Sequence, residues 1–263
     1  MPDLTILNKI KYYLINVNMS IQIENLKAPE IQITKMICDT ILHKKLNDYP
    51  VINTCFNRSN FSIFCGKMGY GKTSTAVSLL KNVFKKCYHT IYIIIPEGSR
   101  MSIDNDYLGK NIPADQLFSD ISVEILDDIY ERMKEDAKEG YKSLLVVDDM
   151  GAFMKDKFIQ KGLAKIITKI RHLRSSVWLL QQSLKQLPKI LRELVSNVLF
   201  FDLGKSQLQF LFDELVPLSK ENFEKVCDYL FGGADDLHSY GIINTKTRKI
   251  YKGVDKEIIV PKL

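Results

Sequence analysis

Apolar and polar positions change rhythm several times along the chain, and each change predicts an element. Over residues 20–26 (SIQIENL) and 30–36 (EIQITKM) they alternate, the period of a half-buried strand. Residues 36–46 (MICDTILHKKL) shift to helical spacing, and Asn47, Asp48 and Pro50 break that pattern. The first fifty residues thus read as a small lead-in of strand and helix.

From about Val51 the rhythm becomes strand, loop, helix, repeated. FSIFC at 61–65, TIYIIIP at 90–96, SLLVVDD at 143–149, SSVWLLQQ at 175–182 and SNVLFFDL at 196–203 are short apolar runs that predict buried strands. Residues 73–87 and 123–140 carry apolar positions at helical spacing, the second closed by Gly140, and residues 157–173 make a basic helix. The polar stretch 97–116 reads as an exposed loop. Apolar strands alternating with helices predict an α/β fold with a mostly parallel sheet flanked by helices. Residues 205–215 and 220–232 read as two more helices, and 241–254 as a hairpin turning at Asn244-Thr245-Lys246-Thr247. The expected organisation is a lead-in over 1–50, a core over 51–205, and C-terminal helices and hairpin packed on it over 206–263.

Composition narrows this picture only a little. With 263 residues, 46% of them hydrophobic and 26% charged, the chain suits a globular protein with a full core. No apolar run approaches the roughly 18 to 20 residues that cross a bilayer, so no membrane insertion is expected. Asp3, Lys9, Lys11 and Asn16 interrupt the apolar N-terminus, which predicts no signal peptide and a cytoplasmic protein. Five scattered cysteines, without metal-ligand spacing, read as reduced thiols. The net charge of +6 permits nucleic-acid contact without demanding it, since the lysines are spread along the chain.

The chemistry begins after FSIFC, where Gly66-Lys67-Met68-Gly69-Tyr70-Gly71-Lys72-Thr73 fits the pattern G-x-x-x-x-G-K-[ST]. Glycines let the backbone curl so that its N–H groups face phosphate oxygens, and the next helix adds the positive end of its dipole at Ser74. In this pattern Lys72 reaches the β- and γ-phosphates and Thr73 offers its hydroxyl to Mg²⁺. A second apolar strand ends in Asp148 and Asp149. The first is placed to hold the metal shell, the second to orient the attacking water. Without the glycine loop such a pair would more often be a turn or helix cap; beside the loop the balance reverses. Adjacent acids favour hydrolysis of ATP over phosphoryl transfer, and neither an arginine-rich lid nor a base-reading N-K-x-D appears. Gln181 and Gln182 close another strand and can sense a γ-phosphate if that strand lies beside the acids. Arg171 and Arg174 precede it; either can stabilise a neighbouring subunit's transition state, or simply serve a helix C-terminus.

In their order and spacing, GKMGYGKT, LLVVDD and RHLRSSVWLLQQSLKQLP resemble the FtsK–HerA superfamily of P-loop motors, and within it the poxvirus-type genome-packaging ATPases. The resemblance covers roughly residues 55 to 205, with the INTKTRKIYK hairpin similar as well. It implies ATP and Mg²⁺ as ligands, Lys72, Thr73 and Asp148 in their P-loop roles, Gln182 as the sensor and Arg171 as the arginine finger. Asp149 stands where most of the superfamily has glutamate, one methylene longer. The resemblance also implies a homo-oligomeric ring, often a hexamer, moving double-stranded DNA and meeting a capsid or portal protein. Channel contacts would come from Lys155, Lys157, Lys161, Lys165, Lys169, Lys185 and Lys189. The alternatives are another nucleic-acid motor, such as a transfer ATPase or helicase, and a non-motor P-loop protein.

Overall fold

A nine-stranded sheet organises the described residues, which in this computed structural model are 41–43, 46, 49–84, 86–103, 106–233 and 238–260. In chain order its strands are β1 (Phe61–Cys65), β2 (Thr90–Ile94), β3 (Leu117–Phe118), β4 (Ser143–Asp148), β5 (Ser175–Gln181), β6 (Asn197–Phe200), β7 (Gly241–Asn244), β8 (Lys249–Lys252) and β9 (Lys256–Ile258). Across the sheet they lie in the order β3-β2-β4-β5-β1-β6-β7-β8-β9. The first six in that order run parallel and the last three antiparallel. This is the mostly parallel α/β fold that the apolar runs predict.

Every residue of β1, β4 and β5 is buried, because helices cover both faces. Phe61, Ile63 and Cys65 point into one apolar layer with α5 (Val123–Lys138), α6 (Lys157–Ile167), α8 (Lys205–Leu215) and α9 (Lys220–Phe231). Phe64 points into the other with α1 (Pro50–Phe56) and α2 (Lys72–Asn82). There Trp178 of β5 is fully buried against the rings of Phe56, Phe64 and Phe84. Side-chain caps start the longer helices. Ser122 accepts from the Ile125 amide, Asp156 from Phe158 and Ile159, and Ser219 from Asn222.

A line of buried polar groups crosses the sheet at the amino ends of its central strands. Asn60 donates through Nδ2 to Ser176 Oγ on β5 at 3.0 Å and accepts from Ser62 Oγ on β1 at 2.8 Å. Asn197 of β6 donates to Ser62 Oγ at 3.1 Å, and Asn244 of β7 donates to Asn197 Oδ1 at 2.9 Å. Asn244 Oδ1 also accepts from the Thr247 amide, which shapes the hairpin turn.

Several expectations need correction. The stretch 97–116 is not a bare loop: it holds α3 (Glu97–Met101), α4 (Tyr107–Asn111) and a 3₁₀ turn at Ala114–Gln116. Pro96 and Pro113 precede two of these elements, and Asp106 caps the third by accepting from the Gly109 amide at 3.2 Å. The helix expected through Leu46 is absent at Ile41–His43, where the Leu42 and His43 amides both donate to the Asn57 carbonyl. Pro50, read as a breaker, is the first residue of α1, where its missing N–H costs nothing. The basic helix stops at Ile167, and turns occupy 168–174. A third strand, β9, extends the hairpin. Of the lead-in over 1–50, the rest lies outside the described residues. No described helix is long and apolar enough to cross a membrane.

Candidate active site

The glycine loop connects β1 to α2 at the carboxyl edge of the parallel strands. Two close constraints set its path. A Cβ on Gly66 would stand 2.9 Å from Phe201, and Gly71 has φ +94° just before α2 begins. The Gly66 amide donates to the Gln181 carbonyl at 3.1 Å, which ties the loop to β5. Lys72 Nζ donates back to the carbonyls of Gly66 at 2.8 Å and Lys67 at 2.9 Å. Burial lowers its pKa, an effect that the nearby carboxylate of Asp148 partly offsets.

Strand order brings the second half of the site. β5 lies between β1 and β4, with Cys65 opposite Gln181 and Leu180 opposite Asp148. The tips of all three strands therefore meet at one cleft of about 250 Å³. Met68, Gly69, Gly71, Lys72, Thr73 and Ser74 line it from the loop and the start of α2, Asp148 from the end of β4, and Asp149 and Gln182 from just past β4 and β5. Gly66, Lys67 and Tyr70 do not line it; Lys67 Nζ lies 5.3 Å from the centre of the Tyr70 ring.

Thr73 Oγ1 donates to Asp148 Oδ2 at 2.6 Å. Asp148 is 3% exposed, and burial raises its pKa despite that bond. A buried carboxylate short of compensating charge, beside a hydroxyl, is a hard-oxygen pair that fits Mg²⁺ completed by phosphate oxygens and water. Among the described residues no three His, Cys, Asp or Glu side chains cluster as a protein-only metal cage. Asp149 has φ +55°, and its Oδ2 accepts from Ser99 Oγ at 3.3 Å. The Cys65 thiol next to the loop is pushed up to about 12 by burial, which rules it out as a nucleophile.

The two glutamines separate cleanly. Gln182 faces the cleft, whereas the Gln181 side chain is buried and lacks a hydrogen-bond partner among the described residues. Arg171 and Arg174 are not brought to this cleft. They precede the amino end of β5, at the opposite edge of the sheet. Of the candidate channel lysines, Lys165 pairs with Asp127 at 2.8 Å and Lys169 donates to Tyr130 Oη at 3.0 Å, so both engage α5. Lys189 pairs with Glu193 on α7 (Lys189–Glu193), and Lys185 lies over the Phe210 ring. Lys155, Lys157 and Lys161 are exposed.

Three cleft residues escape the sequence reading: Ser99, Ser102 and His238. The serines follow β2, whose carboxyl end lies next to that of β4, so their position in a strand–helix connection is a usable signal. His238 comes from the segment before β7, and no local motif marks it.

A family model described as Poxvirus A32 protein matches residues 51–230. Among solved structures, the genome packaging NTPase B204 from Sulfolobus turreted icosahedral virus 2 in complex with ATP-gammaS has a TM-score of 0.55 at 16% identity, over 76% of this chain and 98% of that chain. The B204 crystal structure described as the DNA-packaging ATPase from Sulfolobus turreted icosahedral virus gives 0.55 at 16%, over 74% and 97%. The B204 complex with AMP gives 0.52 at 15%, over 76% and 98%. At these identities the likeness is one of fold. No curated protein sequence matches the chain.

Proposed function

Because the chain belongs to the Poxvirus A32 protein family, we propose that it is an ATP-hydrolysing motor that moves double-stranded DNA into a viral capsid. The observation that carries this reading is the convergence of Lys72, the Thr73–Asp148 pair and Asp149 on one cleft beside the glycine loop. Those groups are what a triphosphate needs to be held and attacked by water.

The loop amides and the first turn of α2 hold the β-phosphate, and Lys72 exchanges its two carbonyl partners for β- and γ-phosphate oxygens. Mg²⁺ held by Thr73 and Asp148 would neutralise charge that develops on the phosphoryl oxygens. Asp149 orients the attacking water and takes its proton, while Gln182 senses the γ-phosphate. Its carboxylate is shorter than glutamate, so water must come closer to β4, and unstimulated turnover is slow. In a ring of copies, hexameric as is common in the superfamily, Arg171 reaches the nucleotide of the adjacent subunit. Exposed Lys155, Lys157 and Lys161, in the segment that follows Asp149, hold DNA phosphates without reading bases. A capsid or portal protein is the docking partner, and the site of action is the host cytoplasm, with association to the virion.

Steady-state ATP hydrolysis with and without long duplex DNA tests this reading. Stimulation by duplex DNA that Lys72→Ala abolishes is the expected result. Hydrolysis that ignores DNA would overturn the translocase reading, and strand displacement without duplex movement would replace it with a helicase.

A further inference from the structure

The cleft has a direction. Across the sheet the order is β4-β5-β1-β6-β7, so the groups proposed for hydrolysis, Asp148, Asp149 and Gln182, enter from the β4 and β5 side of the phosphate loop. His238 enters from the other side, from the residues that lead into β7. A triphosphate with its γ-phosphate at the carboxylates therefore points its α-phosphate and nucleoside toward His238.

The imidazole sits close enough to take part. A Cβ added to Gly71 would stand 3.1 Å from His238 Nδ1, so the ring lies against the backbone where α2 begins. That is where the unpaired N–H groups of Lys72, Thr73 and Ser74 gather. The backbone on its far side is anchored to the sheet. Ser239 is buried, the Tyr240 ring packs on Phe201 at 5.7 Å, and the Tyr240 carbonyl accepts from the Gly253 amide at 3.0 Å. An exposed imidazole followed by backbone tied to the sheet is suited to meeting a ligand.

We propose that His238 is a nucleotide-binding residue whose ring N–H donates to the α-phosphate, so that the C-terminal part of the chain completes the nucleotide site. This rests on the reading of the cleft as an ATP site. It predicts a contact made equally in ATP and ADP, present before and after hydrolysis, and absent with pyrophosphate, which has no α-phosphate or nucleoside.

Direct binding by calorimetry on the full chain tests it, with ATP, ADP and pyrophosphate in the presence of Mg²⁺. His238→Ala should weaken ATP and ADP by similar factors, on the order of tenfold, while pyrophosphate affinity stays unchanged. His238→Gln, which keeps a donor, should recover part of the loss, and His238→Phe should not. Unchanged ADP affinity, an equal loss for pyrophosphate, or full rescue by phenylalanine would each overturn the assignment. Lys72→Ala separates this from the larger reading: a parent protein that binds no ATP, or binds it regardless of Lys72, sinks the ATP site itself. ATP binding that needs Lys72 and ignores His238 sinks only this inference.

Discussion

Lys72 and Arg171 stand at opposite ends of neighbouring strands: Lys72 follows the carboxyl end of β1, and Arg171 precedes the amino end of β5. The seven residues of β5 span roughly 20 Å at about 3.3 Å each. An arginine so placed lies about a strand's length from the cleft of its own chain, so the proposed arginine finger would serve the nucleotide of another subunit. Lys72→Ala and Arg171→Ala should each be inactive alone. Mixed, they should regain activity, since about a quarter of random interfaces pair an intact Lys72 with an intact Arg171. Titrating one variant into the other and following phosphate release checks this. No recovery at any ratio would remove the arginine from the reaction or place it in cis.

Ser99 and Asp149 offer a second test. Asp149 holds a positive φ that aspartate and asparagine tolerate better than most residues. Asp149→Asn should therefore fold normally and bind ATP, yet hydrolyse it about a hundredfold or more slowly. Ser99→Ala removes the hydroxyl that steadies the carboxylate and should lower kcat by a factor of about three to ten with little change in KM. A Ser99→Ala loss confined to KM would mean that the serine binds nucleotide and does not position Asp149.

Burial of Asp148 makes a prediction about stability. Its folded pKa is raised, chiefly by burial. The stability linked to this group is therefore full below the ordinary aspartate pKa of 3.8 and lost as pH rises through the folded value. Asp148→Asn keeps an acceptor for Thr73 and escapes that loss. Without nucleotide or Mg²⁺ it should melt about 2–4 °C above the parent at pH 7, and the gap should close near pH 4. Adding ATP and Mg²⁺ should raise the parent's melting temperature more than the variant's. A variant that melts lower than the parent at pH 7 would contradict this account.

His43 predicts the opposite trend. It is 3% exposed, lies edge-on to Tyr88 at 4.8 Å and Phe84 at 5.9 Å, and finds no hydrogen-bond partner among the described residues. Burial, helped by the charge of Lys142, lowers its pKa from 6.5 to about 4. Its contribution is present above 6.5 and lost as pH falls through about 4, a difference of about 3 kcal/mol. Urea unfolding between pH 7 and 4 should show this decline, and His43→Leu should flatten it. An unchanged slope in the variant would mean that folding does not shift the protonation of this imidazole.

How much of this is legible in the sequence depends on how local the constraint is. FSIFC and SLLVVDD announce buried parallel strands because both faces of each must be apolar. The phosphate loop is legible because its chemistry demands fixed residues at contiguous spacing. The two helices between Glu97 and Asn111 are five residues each, too short for a helical period to show. His238 reaches Gly71 only because β7 returns antiparallel beside β6, a relationship of the sheet that no nearby spacing encodes. Gln181 and Gln182 look alike in sequence, but Gln181 is the last, buried residue of β5 whereas Gln182 lies just past its end and faces the cleft.

The polar line through Ser176, Asn60, Ser62, Asn197 and Asn244 bears on how the chain reaches its fold. Apolar strands such as β1, β5 and β6 are nearly interchangeable by burial, and several orders of pairing would exclude water about equally well. The observed order lets every one of these side chains find a partner. A misplaced strand, or one slipped by a residue, strands at least one buried amide or hydroxyl at about 1–3 kcal/mol. The line thereby selects one strand order from near-equivalent ones. Because Asn244 closes it, the C-terminal hairpin contributes to fixing the order of the sheet that carries the phosphate loop.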